Sequence, residues 1–495
     1  MSSIVSKITA PPLYMCSAVF KTLAVLSTMS ALAFPVIAED RLAPQSCDLS
    51  TLAQPLYAAE QRLQYRRLDN GLQVRTLALE NTQVVSIASQ FDVGSRNEIN
   101  GQTGYAHLFE HMLFKGSKHA PGDSYTQTMS AFSGQFNAST FFDFTNYYLT
   151  IPSQALELSL WLEADRFRYP TLNDTTVKNQ QGAVLEEMAT SIDNQPYVRS
   201  AMEFLLAQVE GTPYGHAVIG SAEDVKAATP QSLNVFHQRY YRPDAMQLSL
   251  VGDIPPQTQS WIDLQFGDWQ APEFEQPKLN DLVVTPKAVH GEIVDERGPW
   301  PAVLFAWHTA GINSADSAGV SLIEAYLFQN SSSLIQGSSL TDPEQLLSYS
   351  IPLTMSHHGM TNLVLVPRAR TSLDKLSENV KALIDSVAAY PLTEQQLCQL
   401  KQIWLNKALF TLDSPSQLAR SLSATLPQDK RHPLTGPWQR INAVSADDLQ
   451  AITLKYFSNN MVRLDLLPPW YIRATKSILE VLPKGVTDSL EESVM

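Results

Sequence analysis

Apolar positions recur along this chain with two periods, and the switches between them mark out its elements. Alternating or continuous apolar runs read as strands, and spacing by three and four reads as helix. Arg66-Arg67-Leu68-Asp69-Asn70-Gly71-Leu72 predicts two strands joined by an Asn-Gly turn. Val84 to Val93 reads as a further strand ending at Gly94. Ala106, Leu108, Met112 and Leu113 predict a helix within Gly104 to Phe114, a stretch without proline, with Thr103 as N-cap and Gly116 as stop. Phe136 to Ile151 is rich in β-branched and aromatic residues and predicts strands. Helices are expected from about Ser153 to Arg168, from Asp174 through Ile192, and over 198–210 and 229–242, before a strand from Met246 to Val251. Prolines and polar residues between Gln270 and Lys287 predict a linker.

The second half repeats the first in outline. Arg239-Tyr240-Tyr241, followed by the run Asp244 to Leu250, has a later counterpart in Lys455-Tyr456-Phe457 and the run Asn460 to Leu466. At the same offset, Thr229 and Leu233 in the preceding helix correspond to Ser445 and Leu449. A shared offset of this kind predicts an α+β protein of two related domains. The expected division is a segment 1–38 discussed below, a polar lead 39–61, a first domain 62–270, a linker 271–289, a second domain 290–470 and a tail 471–495.

Hydrophobic residues make up 44% of the 495 positions and charged residues 17%, which describes a folded chain with a large core. The net charge of −14 and the lack of a basic run argue against nucleic acid as a partner. Lys7 and Lys21 precede an apolar stretch from Thr22 to Phe34, and Val36-Ile37-Ala38 offers cleavage-type residues. This reads as an export signal cut after Ala38, with an uncleaved anchor as the alternative, since the stretch is too short to span a bilayer. Removing the two lysines takes the mature charge from −14 to −16. Cys16 follows Met15, which does not suit lipidation. Cys47 and Cys398 remain, as one disulfide or as two buried thiols.

Chemistry concentrates in one helix. His107-Leu108-Phe109-Glu110-His111 is an H-x-x-E-H run, and positions i, i+3 and i+4 of a helix share a face. His107 and His111 can each offer a nitrogen to one metal at roughly 2.0–2.1 Å. Glu110 is then placed to take a proton from water at that metal. This inverted order marks inverzincin peptidases. A catalytic zinc site needs a third protein ligand. The adjacent carboxylates Glu186 and Glu187 are candidates, but consecutive helical residues point about 100° apart and the spacing alone does not choose between them. His216, in Pro213-Tyr214-Gly215-His216, reads as structural, and the neighbours His357 and His358 would face opposite ways on a strand.

The strings GSRNEINGQTGYAHLFEHMLFKGS (94–117), FNASTFFDFTNYY (136–148), NQQGAVLEEM (179–188) and PYGHAVIGS (213–221) resemble the pitrilysin family, especially its mitochondrial-processing-peptidase-like branch of bacterial exported proteins. The resemblance implies two domains, each a mostly antiparallel sheet packed with helices, closing as a clamshell around a chamber for short or unfolded peptides. It implies one zinc per chain, held by His107, His111 and Glu187, with Glu110 as base. Glu187, and not Glu186, stands at the family's spacing from the second histidine. Asn137 and Ala138 fall at the family's substrate strand, where an extended peptide adds to a sheet edge. Two positions depart from the pattern. Gln180 stands where many members have a second glutamate near the metal. Leu327 to Ile335 lacks the glycine, arginine and tyrosine of the family's glycine-rich loop. The offset between the halves puts Ile323 and Leu327 opposite His107 and His111, so the second half carries no metal pair.

The function these features predict is a zinc-dependent endopeptidase exported to the periplasm of a Gram-negative bacterium, acting on peptides without a stable membrane anchor. A homologous partner subunit or a second copy would supply the missing loop. The competing readings are a non-catalytic subunit of a peptidase-like assembly and a protein that sequesters zinc, which would not need Glu110.

Overall fold

The computed structural model describes residues 47–272, 274, 288–329, 333–337, 345–350, 353–368 and 371–479. The export segment with its cleavage point, most of the expected linker, the end of the tail and residues 330–332 lie outside these. Two six-stranded sheets organise the described residues. The first contains β1 (Gln64–Arg67), β2 (Gln73–Ala78), β3 (Val84–Phe91), β4 (Gln135–Thr140), β5 (Thr145–Pro152) and β6 (Met246–Gly252), in the order β1-β2-β6-β3-β5-β4. The second contains β7 (Val289–Val294), β8 (Ala302–Thr309), β9 (Gln345–Ser350), β10 (Leu353–Thr354), β11 (Gly359–Pro367) and β12 (Val462–Leu467), in the order β10-β11-β8-β12-β7, with β9 also on β11.

Each sheet has one parallel pair, β2 with β6 and β7 with β12; the other pairings are antiparallel. The Asn-Gly turn forms as expected, with Gly71 at φ +94° and Asp244 so close that a Cβ would meet it at 2.7 Å. The internal repeat is structural as well. Starts of β2 and β7, Gln73 and Val289, share one offset with the starts of β6 and β12, Met246 and Val462. The fold is therefore α+β, with two related halves that are each mostly antiparallel.

Alternation along the strands gives each sheet two apolar faces. In the first sheet, Val85, Ile87 and Phe91 of β3 and Leu248 and Leu250 of β6 turn to the main core with Leu108, Phe109 and Phe167. Leu77, Ala88 and Val251 turn the other way. The helix covering that second face, Pro415–Ser423, comes from the other half and inserts Leu418, Ala419 and Leu422. The converse holds for the second sheet. Helix Val198–Ala207 of the first half lays Ala201, Phe204 and Leu205 over Ala302, Leu304, Leu464 and Leu466. These residues recur by three and four, which puts them on one helical stripe. Each buried leucine contributes about 1.5–3 kcal/mol. Buried Arg75 of β2 donates to Gln247 Oε1 at 2.9 Å and to the Leu422 carbonyl at 3.4 Å, joining the halves through a polar contact.

The stretch 39–61 differs from a polar lead. Ser50–Arg62 is a helix whose buried residues Ala53, Leu56 and Ala59 recur by three, a stripe hidden in a polar average. Ala53 and Leu56 join the second half's core. Glu60 accepts from the Leu434 and Thr435 amides (3.1 and 2.7 Å) at the start of helix Thr435–Ala443. Cys47 and Cys398 are disulfide-bonded, which fastens this helix to helix Glu394–Leu412.

The second half also buries a lone carboxyl. Glu324 ends helix Ser317–Glu324 and accepts from the Thr361 hydroxyl on β11. Burial pushes it up from 4.5 to about 7, against the Thr361 and Gln329 hydrogen bonds. A carboxyl raised in the folded state contributes stability that is complete below its ordinary value and lost as pH rises through 7.

Two outcomes follow from these contacts. Cys398→Ser, or reduction of the wild type, should lower stability by about 2–4 kcal/mol, read as a fall in Tm that further reductant does not deepen in the variant. Glu324→Gln removes the titration, so its stability should gain on the wild type between pH 5 and pH 8, by on the order of 3 kcal/mol at most. A Tm difference independent of pH would contradict the burial assigned to Glu324.

Candidate metal centre

The helix carrying H-x-x-E-H runs Tyr105–Met112, and all its residues but His107 are buried. Its N-cap is Gly104, not Thr103. Gly104 adopts φ +86°, and a Cβ would lie 2.5 Å from the Ile219 carbonyl, so the close approach demands glycine. Thr103 instead donates its hydroxyl to Asp224 at 2.6 Å. The exposed helix amides are satisfied by Glu98, whose two oxygens accept from Gly104 (2.8 Å) and Ala106 (2.7 Å). Burial raises the Glu98 carboxyl, and His216 Nε2 lies 2.9 Å away, opposing the shift. His216 thus supports the cap and stands apart from the other two histidines.

Phe109 projects from the opposite face onto Phe236, His237 and Tyr241 and fixes the helix's rotation. His107 and His111 then turn toward helix Asp174–Met188, where Glu187 meets them while Glu186 is exposed. Glu187 Oε2 lies 3.8 Å from His107 Nε2 and 3.4 Å from His111 Nε2. One donor atom from each of the three lies within 4.8 Å of the others, the sole such group among the described residues. Ligands at 2.0–2.1 Å from a tetrahedral zinc stand about 3.4 Å apart, so two imidazoles and a carboxylate at these separations fit that ion. Both Nδ1 atoms are buried without hydrogen-bond partners among the described residues, so packing and the Glu187 carboxylate on the Nε2 side orient the rings.

Burial, helped by neighbouring His111, pushes His107 down to about 4 against the pull of Glu187, leaving a neutral imidazole at neutral pH. Burial works to raise Glu187, but the hydrogen bond to His111 and the charges of both histidines outweigh it and hold the carboxyl below its ordinary value. Glu110 behaves oppositely. Burial lifts it to about 7, and the Thr140 hydroxyl, donating to Oε2 at 2.5 Å, opposes the rise.

Thr140 ends β4, which among the described residues pairs only with β5 and forms the sheet's edge. Asn137 and Ala138 lie on that strand, Ala138 buried and its amide donating to Asn137 Oδ1 at 2.9 Å. Gln180 is buried two turns before Glu187 on the same helix. His358 packs against buried His308, Nε2 to Nδ1 at 2.9 Å, and contributes nothing to the cluster. Ile323 and Leu327, opposite the two histidines in the repeat, are fully buried apolar residues. Sequence reasoning passes over Glu98 and Thr140. Each lies inside a string that singles itself out, but a cap upstream of its helix and a partner on a distant strand have no local periodicity.

Known proteins match most of the chain. Residues 74–221 match the family described as insulinase (peptidase family M16), and residues 227–403 match the peptidase M16 inactive domain. The zinc protease PqqE of Helicobacter pylori is 26% identical over 417 residues, 81% of this chain and 92% of that protein. Among solved structures, a protease from Helicobacter pylori superposes with a TM-score of 0.76 at 24% identity, covering 82% of this chain and 99% of that one. The periplasmic protease PqqL of Escherichia coli gives 0.66 at 18% identity over 88% of this chain and 50% of its own. With both halves matched by domains of one family and a whole-length relative beside them, the chain belongs to the M16, or pitrilysin-like, peptidase family.

Proposed function

We propose that this chain is a zinc-dependent endopeptidase that cleaves peptides or unfolded polypeptides, with His107, His111 and Glu187 as ligands of one zinc ion and Glu110 as general base. The convergence of His107, His111 and Glu187 beside Glu110, a buried carboxyl that accepts from the Thr140 hydroxyl, carries this reading. Zinc, when bound, supplies Lewis-acid polarisation of the scissile carbonyl and a more acidic water. Glu110, whose Oε2 accepts from the Thr140 hydroxyl, takes the proton of the attacking water and returns it to the departing amine. The edge strand β4, with Asn137 and Ala138, offers its outer backbone to an extended substrate. Gln180 supports the centre as a neutral neighbour of Glu187, tuning affinity without adding charge.

The apolar export segment supports delivery to the periplasm, and PqqL of Escherichia coli, which shares the fold, is a periplasmic protease. No helix among the described residues is long and apolar enough to cross a membrane. The missing glycine-rich loop favours a partner-dependent enzyme, in which a homologous subunit or a second copy completes substrate binding. If the purified chain cleaves at full rate alone and gains nothing from a homologue, that part fails.

Two measurements test the core of the proposal. Glu110→Gln should retain one zinc per chain while peptide cleavage falls by about 10²–10⁴-fold. Added zinc should raise the Tm of chelator-stripped wild type and leave that of His107→Ala unchanged, because only the native triad binds. Cleavage that survives both chelation and Glu110→Gln would end the peptidase reading of this site.

A further inference from the structure

At the turn that follows Thr140, the second half reaches toward the base. Asp143, at its tip, is nearly buried and takes three hydrogen bonds. Arg96 Nη1 donates to Oδ1 at 2.7 Å and the Tyr214 hydroxyl to the same oxygen at 2.8 Å, both from the first half. The third donor is the Ser356 amide of the second half, 2.9 Å from Oδ2. Backbone contacts hold the rest of the turn: Ser95 and Arg96 amides donate to the Phe141 and Phe142 carbonyls, and Phe141 closes onto Phe144. Phe142 and Tyr214 pack with Met355 and Met360 across the two halves.

The second half's contribution is itself rigid. Ser356 lies between β10 and β11, where Met355 donates its amide to the His358 carbonyl at 2.9 Å and accepts that of Ile312 at 2.9 Å. Gly311 lies so close that a Cβ would stand 2.5 Å from the His357–His358 backbone. A loop braced in this way can hold its partner in place.

Resting on the peptidase reading, we infer that Asp143 is a positioning residue through which the second half sets the base: Ser356 fixes Asp143, the turn fixes the end of β4, and Thr140 there aims Glu110. The half that carries no metal pair would then serve the reaction by holding one side chain of the other half still. Only Phe141 and Phe142 stand between Thr140 and Asp143, so a displaced turn moves the hydroxyl that Glu110 accepts. Misplacing a reacting group by about 1 Å can cost on the order of 10²-fold in rate. The zinc triad draws on other elements, so ligand binding is left intact.

The test compares the full-length mature chain with Asp143→Ala, Thr140→Val, Thr140→Ser and the double variant Asp143→Ala/Thr140→Val. Cleavage of an unfolded polypeptide gives kcat and KM, and metal analysis gives zinc content. Expected are one zinc throughout, KM within about twofold, and kcat about tenfold or more lower in Asp143→Ala and Thr140→Val. Thr140→Ser, which keeps the hydroxyl, should recover most of the rate. The double variant should be no slower than the worse single one, because both changes break the same linkage. Full kcat in Asp143→Ala, losses that multiply in the double variant, a change confined to KM, or lost zinc would each overturn the assignment. A wild type without zinc-dependent cleavage would instead overturn the peptidase reading, and this inference with it.

Discussion

An eight-residue helix that carries two imidazoles and a buried carboxyl cannot satisfy its own polar groups, and much of the first half is arranged to satisfy them for it. Eight residues make barely two turns, so most backbone amides near the start lack an intrahelical partner. Glu98 takes two of them, at the cost of burying a carboxylate that itself needs His216. Glu110 needs Thr140, and the histidines need Glu187. Unsatisfied, any one of these groups would carry a penalty of about 1–3 kcal/mol or more. The edge strand, the cap turn and the long polar helix are held together because they answer one helix's demands. A divalent ion among the three donors would neutralise the least satisfied part of that arrangement.

What can be read from the residues follows how local the determining physics is. The H-x-x-E-H face, the Asn-Gly hairpin and the strand-helix rhythm depend on neighbours within a few positions, and they are legible in the chain. The duplication is legible because one constant offset survives in both halves' strands. The choice between Glu186 and Glu187 is a matter of how one helix is rotated against another. Family resemblance points to Glu187; periodicity cannot.

Long-range pairings stay hidden for a related reason. The stripe Ala201, Phe204 and Leu205 shows that a helix packs by one face, but an apolar stripe does not name the sheet it meets. Cys47 and Cys398 are separated by 351 residues, and only the packing of their two helices decides between a bond and two thiols. The helix Ser50–Arg62 is concealed by composition, since three buried apolar residues do not lift the average of a polar stretch. Thr103 suits an N-cap by residue type, yet the backbone turn needed there passes too near Ile219 for anything but Gly104.

The exchange of covering helices has a consequence for how this molecule comes apart. Each half lends the other the lid of its sheet, Val198–Ala207 in one direction and Pro415–Ser423 in the reverse. Cys47 lies before the proline-rich segment between the halves and Cys398 lies after it, so the disulfide spans that segment too. A cut between residues 272 and 288 therefore would not release two domains. It would leave two polypeptides bonded through sulfur and still wearing each other's helices, a nicked molecule that migrates as one until it is both reduced and unfolded.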